Sequence, residues 1–288
     1  MAHRSPLIDV DTLAWALDDP ALRLFDATVV LERPAEGGPY TVRSARREYD
    51  AGHIPGAAFA DIAGEFSDPG SPFAFTLPSA AQFAQAAGAA GIGPGAAVVV
   101  YAQESPMWAT RLWWMLRHYG FDDVSVLDGG LAAWKASGRA LSEAPGQYPP
   151  ATFSANRQAE QLASRADVES IVRGERQACL VNALTAPVFR GEGPSSYSRP
   201  GRIPGSVNTP WSALIDPQTN RFRSPGEIEA VFEASGVSEG ADVIAYCGGG
   251  ISATVDLFAL SLIGREARLY DGSLTEWSAD PELPLELG

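Results

Sequence analysis

The chain has 288 residues, 45% hydrophobic and 19% charged, enough apolar material for one large or two ordinary globular domains. Its formal net charge of −14 argues against a nucleic-acid partner or docking on an anionic membrane, and it confines any anion site to local groups. Cys179 and Cys247 are the only cysteines, and His3, His53 and His118 are scattered, so neither a disulfide framework nor a metal cluster is expected. The polar amino-terminal residues and the lack of an apolar run near ~20 residues point to a cytoplasmic protein with reduced thiols.

Residues 7–19 have the pattern of an amphipathic helix, capped by Asp11 or Thr12. Leu22–Ala27 reads as a strand running into a loop, and His53-Ile-Pro-Gly56 leads into another short segment. Ser79–Gly91 is an alanine-rich helix ending at glycine. Ala97–Tyr101 is a buried strand, Thr110–Tyr119 a helix rich in Trp, Leu and Met, and Val124–Leu127 a strand. Asp128-Gly-Gly-Leu131-Ala-Ala-Trp134 follows it.

The second half repeats this order. Cys179-Leu-Val-Asn182 matches the strand at Leu24–Ala27, and Arg202-Ile-Pro-Gly205 matches His53-Ile-Pro-Gly56 at a spacing of 149 residues. Tyr246 matches Tyr101, and Asp271-Gly-Ser-Leu274-Thr-Glu-Trp277 matches the segment from Asp128 to Trp134. Residues 1–145 hold 10 Lys+Arg and 17 Asp+Glu against 11 and 18 in the rest, so each half carries −7. The chain is a tandem duplication. Proline and glycine in Ser142–Thr152 break periodicity and place the boundary there: a first domain over 5–141, a linker over 142–157 and a second domain over 158–288. Strands alternating with helices indicate α/β layers with a mostly parallel sheet in each half.

Val243–Tyr246 is a strand, and Ala253–Ile263 has helical periodicity. Between them stand Cys247, Gly248, Gly249, Gly250, Ile251 and Ser252. A tight strand-to-helix turn leaves the first helical N–H groups without partners, and glycines let them converge on an anion. Such donors favour a thiolate, the nucleophilic form of cysteine, and would equally hold a persulfide. In the first half Ala102 occupies the cysteine position and no glycine follows, so that half is expected to be chemically silent.

These repeats and the Cys-Gly-Gly-Gly-Ile-Ser loop resemble the two-domain rhodanese-like sulfurtransferases, the thiosulfate and 3-mercaptopyruvate sulfurtransferases, over nearly the whole chain. The resemblance implies tandem rhodanese-like α/β domains with the active copy second. It implies transfer of a sulfane sulfur from a small-molecule donor through a Cys247 persulfide to cyanide, a small thiol or a reduced protein dithiol. No metal or organic cofactor is implied, and a monomer is expected. Thiosulfate-type loops carry basic side chains just after the cysteine, where this chain has Gly248 and Gly249. Mercaptopyruvate-type loops read Cys-Gly-Ser-Gly-Val-Thr, and there the serine works with an Asp and a His of the first domain. Here Gly249 replaces that serine and Phe75 the histidine, so the relay is absent.

The resemblance also makes Arg190 a substrate-binding arginine, with Arg199 and Arg202 as secondary candidates; a guanidinium holds carboxylate or thiosulfate oxygens in bidentate fashion. Asp26 and Asn182 are read as strand-end anchors, Trp134 and Trp277 as packing residues, and Cys179 as buried and inert. Two other readings remain. A phosphatase or arsenate reductase would need one more loop residue and an arginine, where residues 253 and 254 are Ala and Thr. A sulfur-carrier module would load sulfur on Cys247 but turn over small molecules poorly.

Overall fold

The computed structural model describes residues 5–32, 34–35, 38–193 and 195–288; His3 lies outside them. The first half contains β1 (Leu7–Ile8), α1 (Val10–Ala16), β2 (Leu22–Asp26), β3 (Val29–Glu32), β4 (Thr41–Ser44), α2 (Arg46–Asp50), β5 (Ala58–Phe59), α3 (Ala80–Ala89), β6 (Ala97–Tyr101), α4 (Met107–His118), β7 (Val124–Leu127) and α5 (Gly130–Ala136). The second contains α6 (Arg165–Val172), β8 (Cys179–Asn182), α7 (Ala186–Phe189), β9 (Val207–Asn208), α8 (Pro225–Ala234), β10 (Val243–Tyr246), α9 (Ala253–Leu262), β11 (Arg268–Leu269) and α10 (Ser273–Ala279).

The sheets run β1-β7-β6-β2-β5 and β11-β10-β8-β9, and every pairing within them is parallel. Helices therefore cover both faces, and the central strands β6 and β10 are buried at every residue, as their continuous apolar runs require. The two halves use the same devices at matching positions. The Tyr101 hydroxyl accepts from the Ile54 N–H at 3.2 Å, and the Tyr246 hydroxyl accepts from Ile203 at 3.1 Å. Burial pushes the Tyr246 phenol up to about 12. His53 bridges to Ser142 as Arg202 bridges to Glu286.

Two sequence expectations need correction. The residue capping α1 is Asp9, whose carboxylate accepts from the Thr12 N–H at 2.7 Å, because Leu7 and Ile8 are drawn into the sheet beside β7. The antiparallel hairpin β3–β4 was not foreseen, since its four-residue strands are flanked by a proline- and glycine-rich turn and carry little periodicity.

The halves face one another across α4 and α9, where the Thr110 and Thr254 hydroxyls meet at 2.8 Å. Around this near-twofold contact each half caps the other. The Asp271 carboxylate accepts from the Leu77 N–H at 2.8 Å, and the Asp128 carboxylate accepts from Phe222 at 2.9 Å. The segment joining the halves runs along the first: the Ala151 N–H donates to Gly88 and the Tyr148 hydroxyl donates to Gly56. Among the described residues no helix is long and apolar enough to cross a membrane.

Candidate active site

The parallel arrangement places the ends of β8 and β10 side by side, with Tyr246 in register with Asn182. Open α/β sheets bind ligands beyond the carboxyl ends of such strands. Cys247 follows Tyr246 there and is 2% exposed. Its loop is held by the start of α10. The Ser273 hydroxyl accepts from the N–H groups of Cys247 and Gly250, at 3.0 and 3.2 Å, and donates to the Tyr270 carbonyl at 2.8 Å. Ser273 adopts a φ of 52° to do so, the left-handed region that costs a non-glycine residue free energy. Leu274 donates to the Cys247 carbonyl at 3.1 Å, and the Thr275 N–H and hydroxyl donate to the Gly248 carbonyl at 2.8 and 2.6 Å.

With these groups engaged, the N–H groups of Gly248, Gly249, Ile251, Ser252 and Ala253 have no acceptor among the described residues. They stand at the start of α9 and are available to a negatively charged sulfur. Hydrogen bonds to a charged group contribute about 1.5–3 kcal/mol each, so two or three of them hold an anion firmly.

A second clamp comes from the other half. Arg111 on α4 is 1% exposed, and its guanidinium donates to the Gly250 carbonyl at 3.1 Å, the Asp271 carboxylate at 2.6 Å and the Phe75 carbonyl at 2.7 Å. One side chain thus ties the cysteine loop, the Asp271 turn and the Phe75 loop. Gly250 must be glycine here: its φ is +72°, and a Cβ would lie 2.6 Å from the Asp271 carboxylate.

The cleft that opens onto Cys247 has a volume of about 70 Å³. Leu31, Tyr40, Phe75 and Met107 enter from the first half, and Leu184, Thr185, Val188, Tyr197 and Trp211 from the second. Leu31 and Tyr40 belong to the β3–β4 hairpin, whose turn is tied to the second half by the Gly38 N–H donating to Ser195 at 2.9 Å. Of the loop, Gly248, Gly249, Ile251 and Ser252 line the cleft, while Gly250 faces the Arg111 clamp.

The predicted arginines are not in this cleft. Arg190 ends α7 and points outward, where Glu192 takes its guanidinium in a bidentate pair at 2.7 and 2.8 Å. Val188, two residues earlier, occupies the cleft wall instead. Arg199 is engaged with the backbone carbonyls of Trp277, Ser278, Asp280 and Leu283, which fixes the final segment. Arg202 lies over the Phe189 ring at 4.5 Å, donates to the Gly288 carbonyl and pairs with Glu286. None of the three lines the cleft in this structure.

Phe75 does line the cleft, and no histidine does among the described residues. His53 bonds the carbonyls of Tyr49 and Ala144, and His118 is buried against Trp114 with its pKa lowered to about 4 by burial. Asp26 accepts from Thr28 and Gln103, Asn182 accepts from Leu184, and the indoles of Trp134 and Trp277 donate to Ala140 and Pro284, all consistent with anchoring and packing. Cys179 is half-buried rather than buried, because β8 begins at the rim of a surface hollow; burial still raises its pKa, which suits an unreactive thiol.

Sequence reasoning missed Arg111, Tyr40, Tyr197 and Asp256. Asp256 is the one charged-type residue in the otherwise apolar first turns of α9. It is fully buried with neither carboxylate oxygen hydrogen-bonded. Burial first, and then the charge of Cys247, push its pKa well above the usual carboxylate range. That lone acid in an apolar run was the available signal.

Fold and loop together define a sulfurtransferase built on a duplicated α/β unit with one cysteine site. Residues 10–137 and 189–280 match the rhodanese-like domain, and the chain belongs to the two-domain rhodanese-like sulfurtransferases. It is 36% identical to the 3-mercaptopyruvate sulfurtransferase of Escherichia coli strain K12 over 282 residues, 97% of each protein. It is 35% identical to the human 3-mercaptopyruvate sulfurtransferase over 280 residues, 94% of this chain and 91% of that one. Among solved structures, SseA of Escherichia coli superposes with a TM-score of 0.80 at 33% identity, covering 94% of this chain and 99% of that one.

The geometry explains the first of the two glycines after the cysteine and not the second. A Cβ on Gly248 would come 2.2 Å from the Tyr197 hydroxyl, so that ring fills the space a side chain would need. A Cβ on Gly249 would meet the Tyr40 hydroxyl at 3.5 Å, an ordinary contact. Gly249→Ser is therefore expected to fold like the parent, whereas Gly248→Ala must displace Tyr197 and cost about 1–3 kcal/mol of overpacking. Urea denaturation of Gly248→Ala, alone and with Tyr197→Ala, checks this: the double variant should recover most of the loss.

Proposed function

We propose that Cys247 takes a sulfur atom from a donor and holds it as a persulfide before passing it to a nucleophilic acceptor. The observation that carries this reading is a buried cysteine at the end of a parallel strand beside five N–H groups without acceptors among the described residues. With 3-mercaptopyruvate, the Cys247 thiolate attacks the substrate sulfur and the carbon–sulfur bond breaks. Its electron pair goes to the pyruvate enolate, which takes a proton to give pyruvate. The hydroxyls of Tyr40, Thr185, Tyr197 and Ser252 line the cleft beside the loop and are candidates for that proton transfer. With thiosulfate, the same attack on the sulfane sulfur releases sulfite. A thiol, cyanide or a reduced protein dithiol then removes the outer sulfur, a ping-pong sequence of covalent catalysis.

The relatives favour 3-mercaptopyruvate as donor, as does a cysteine loop without basic side chains. Because no guanidinium lines the cleft among the described residues, loading by either anionic donor should rise almost linearly with donor concentration rather than saturate early. The division into domains at 5–141 and 158–288, a silent first half with Ala102 at the cysteine position, and a monomeric state belong to the same proposal. The first half's role would be to supply Arg111 and one wall of the cleft.

Donor titration with pyruvate or sulfite release, run beside intact-mass measurement, tests the proposal. One added sulfur on the parent protein and none on Cys247→Ser is expected; turnover surviving in Cys247→Ser would refute it. The lack of a charged side chain among the described cleft residues favours one alternative, a sulfur carrier, for which loading would be stoichiometric and steady-state release negligible.

A further inference from the structure

The two halves enclose a second hollow, of about 310 Å³, at the other end of the α4–α9 contact. Met107 opens α4 at the Cys247 cleft, and Trp113, Trp114 and Arg117 on its later turns line the hollow. Ser252 precedes α9 at the cleft, and Leu257 further along that helix lines the hollow. A helix rises about 1.5 Å per residue, so Met107 and Arg117 stand about 15 Å apart along α4. Sites for small molecules begin at about 300 Å³, and the hollow is of that size.

Its wall combines an apolar floor of Trp113, Trp114 and Leu257 with a rim of both charges. On the rim Arg268 and Asp242 pair with one another. The other charges are less engaged. Arg265 commits one guanidinium N–H to the Ser238 carbonyl at 2.8 Å, and Arg117 lies over the Trp113 ring at 5.1 Å and meets Asp122 at 3.6 Å. Glu160 and Glu266 have no ion-pair partner among the described residues. The indole N–H groups of Trp113 and Trp114 are buried, and they too lack acceptors among the described residues. Folded proteins rarely leave such donors unpaired.

A singly charged ligand would be opposed by half of this rim, an anion by Glu160 and Glu266 and a cation by Arg117 and Arg265. A molecule with both charges on a short apolar body is served by all of it. The guanidinium forks take its carboxylate, the glutamates its ammonium, and the indoles and Leu257 its side chain. The hollow also has a physical link to the cysteine loop. The Arg111 guanidinium rests over the Trp114 ring at 5.3 Å and donates to the Gly250 carbonyl at 3.1 Å. Trp114 thus touches both the hollow and the residue that ties the loop to α4.

We propose that this hollow binds a zwitterionic α-amino acid with an apolar side chain, and that its occupation steadies the Cys247 loop through Trp114 and Arg111. The hollow shares no lining residue with the cleft, so neither part depends on which donor or acceptor Cys247 uses.

Isothermal titration calorimetry of the full chain with L-phenylalanine and L-leucine tests the first part. Phenethylamine and 3-phenylpropionate, which keep the phenyl body and one charge each, are the comparison. Saturable single-site binding of the amino acids is expected, tighter than either analogue by about tenfold or more, the effect of one lost charge-assisted contact. In Arg117→Gln with Arg265→Gln the advantage over phenethylamine should vanish, and in Glu160→Gln with Glu266→Gln the advantage over 3-phenylpropionate should. Ala267→Trp, which places an indole in the hollow, should abolish binding while keeping the parent's far-UV spectrum. No saturable binding to the parent, binding of a singly charged analogue as tight as phenylalanine, or full binding by Ala267→Trp would overturn the site. Hydrogen exchange on peptides spanning residues 247–252 tests the second part: saturating phenylalanine should slow it several-fold. Unchanged exchange there with the hollow saturated would refute the coupling.

Discussion

Arg111→Ala is expected to be the most damaging single substitution outside the cysteine loop, destabilising the protein by about 3–5 kcal/mol and removing most sulfur transfer. Asp271 would be left with a largely desolvated carboxylate whose remaining partner is the Leu77 N–H, and the Gly250 and Phe75 carbonyls would lose their donor. Breaking one side of a buried pair costs more than the pair contributes, because a charge remains without compensation. Arg111→Lys keeps the charge but not the planar fork, so it cannot span three acceptors and should recover only part of the loss. The informative variant is Arg111→Met combined with Asp271→Asn. It removes both charges and leaves an amide oxygen for Leu77, so stability should return toward the parent value. The loop would still lack its cross-domain tie at Gly250, so kcat should stay low with little change in KM. Guanidinium denaturation beside steady-state kinetics separates the two effects. Recovery of both together would show that Arg111 acts on stability alone. The pair is buried, so added salt should change little.

The same residue shows where sequence reading reached its limit. The cysteine loop was legible because everything that makes it is local: a buried strand, glycines and a helix within twenty residues of chain. The duplication was legible because matched motifs recur in the same order, and the matched bonds of Tyr101 and Tyr246 bear it out. Arg111 and Asp271 are separated by 160 positions, and nothing in a Trp-rich helix announces which of its polar residues turns inward. Arg190 lies outside the cleft for a related reason. Whether residue 188 or residue 190 faces the cleft depends on the rotation of a four-residue helix, and Glu192 two positions on gives the arginine a partner in solvent. The first half was expected to be silent, and it has no cysteine at Ala102. Its hairpin and α4 nevertheless build one wall of the cleft, a role fixed by packing between halves that periodicity does not encode.

Asp256→Asn is expected to stabilise the protein at neutral pH and to do so less and less as the solution is acidified. The parent carboxyl is fully buried without a hydrogen bond, so folding requires its neutral form, and its pKa in the folded state lies above the unfolded value near 3.9. The unfolded chain therefore releases a proton that the folded chain retains. Below about pH 4 both states are protonated and the group imposes no pH-dependent cost. Above it, stability is lost at about 1.4 kcal/mol for each pH unit until the folded pKa is reached. The asparagine amide is also unpartnered but does not ionise, so it removes the slope while keeping the shape. Urea midpoints of the parent and Asp256→Asn at pH 4, 5.5 and 7 should diverge progressively, with the variant ahead at pH 7. Parallel curves would mean that Asp256 finds a partner, such as a buried water, that allows it to ionise in the folded state. Cys247 gives the measurement a second readout. The carboxylate and a sulfur anion repel one another, so occupying the persulfide should make ionisation of Asp256 still less favourable. The stability gap between parent and variant at pH 7 should then widen when Cys247 carries sulfur, provided the folded pKa of the unloaded protein lies near or below that pH.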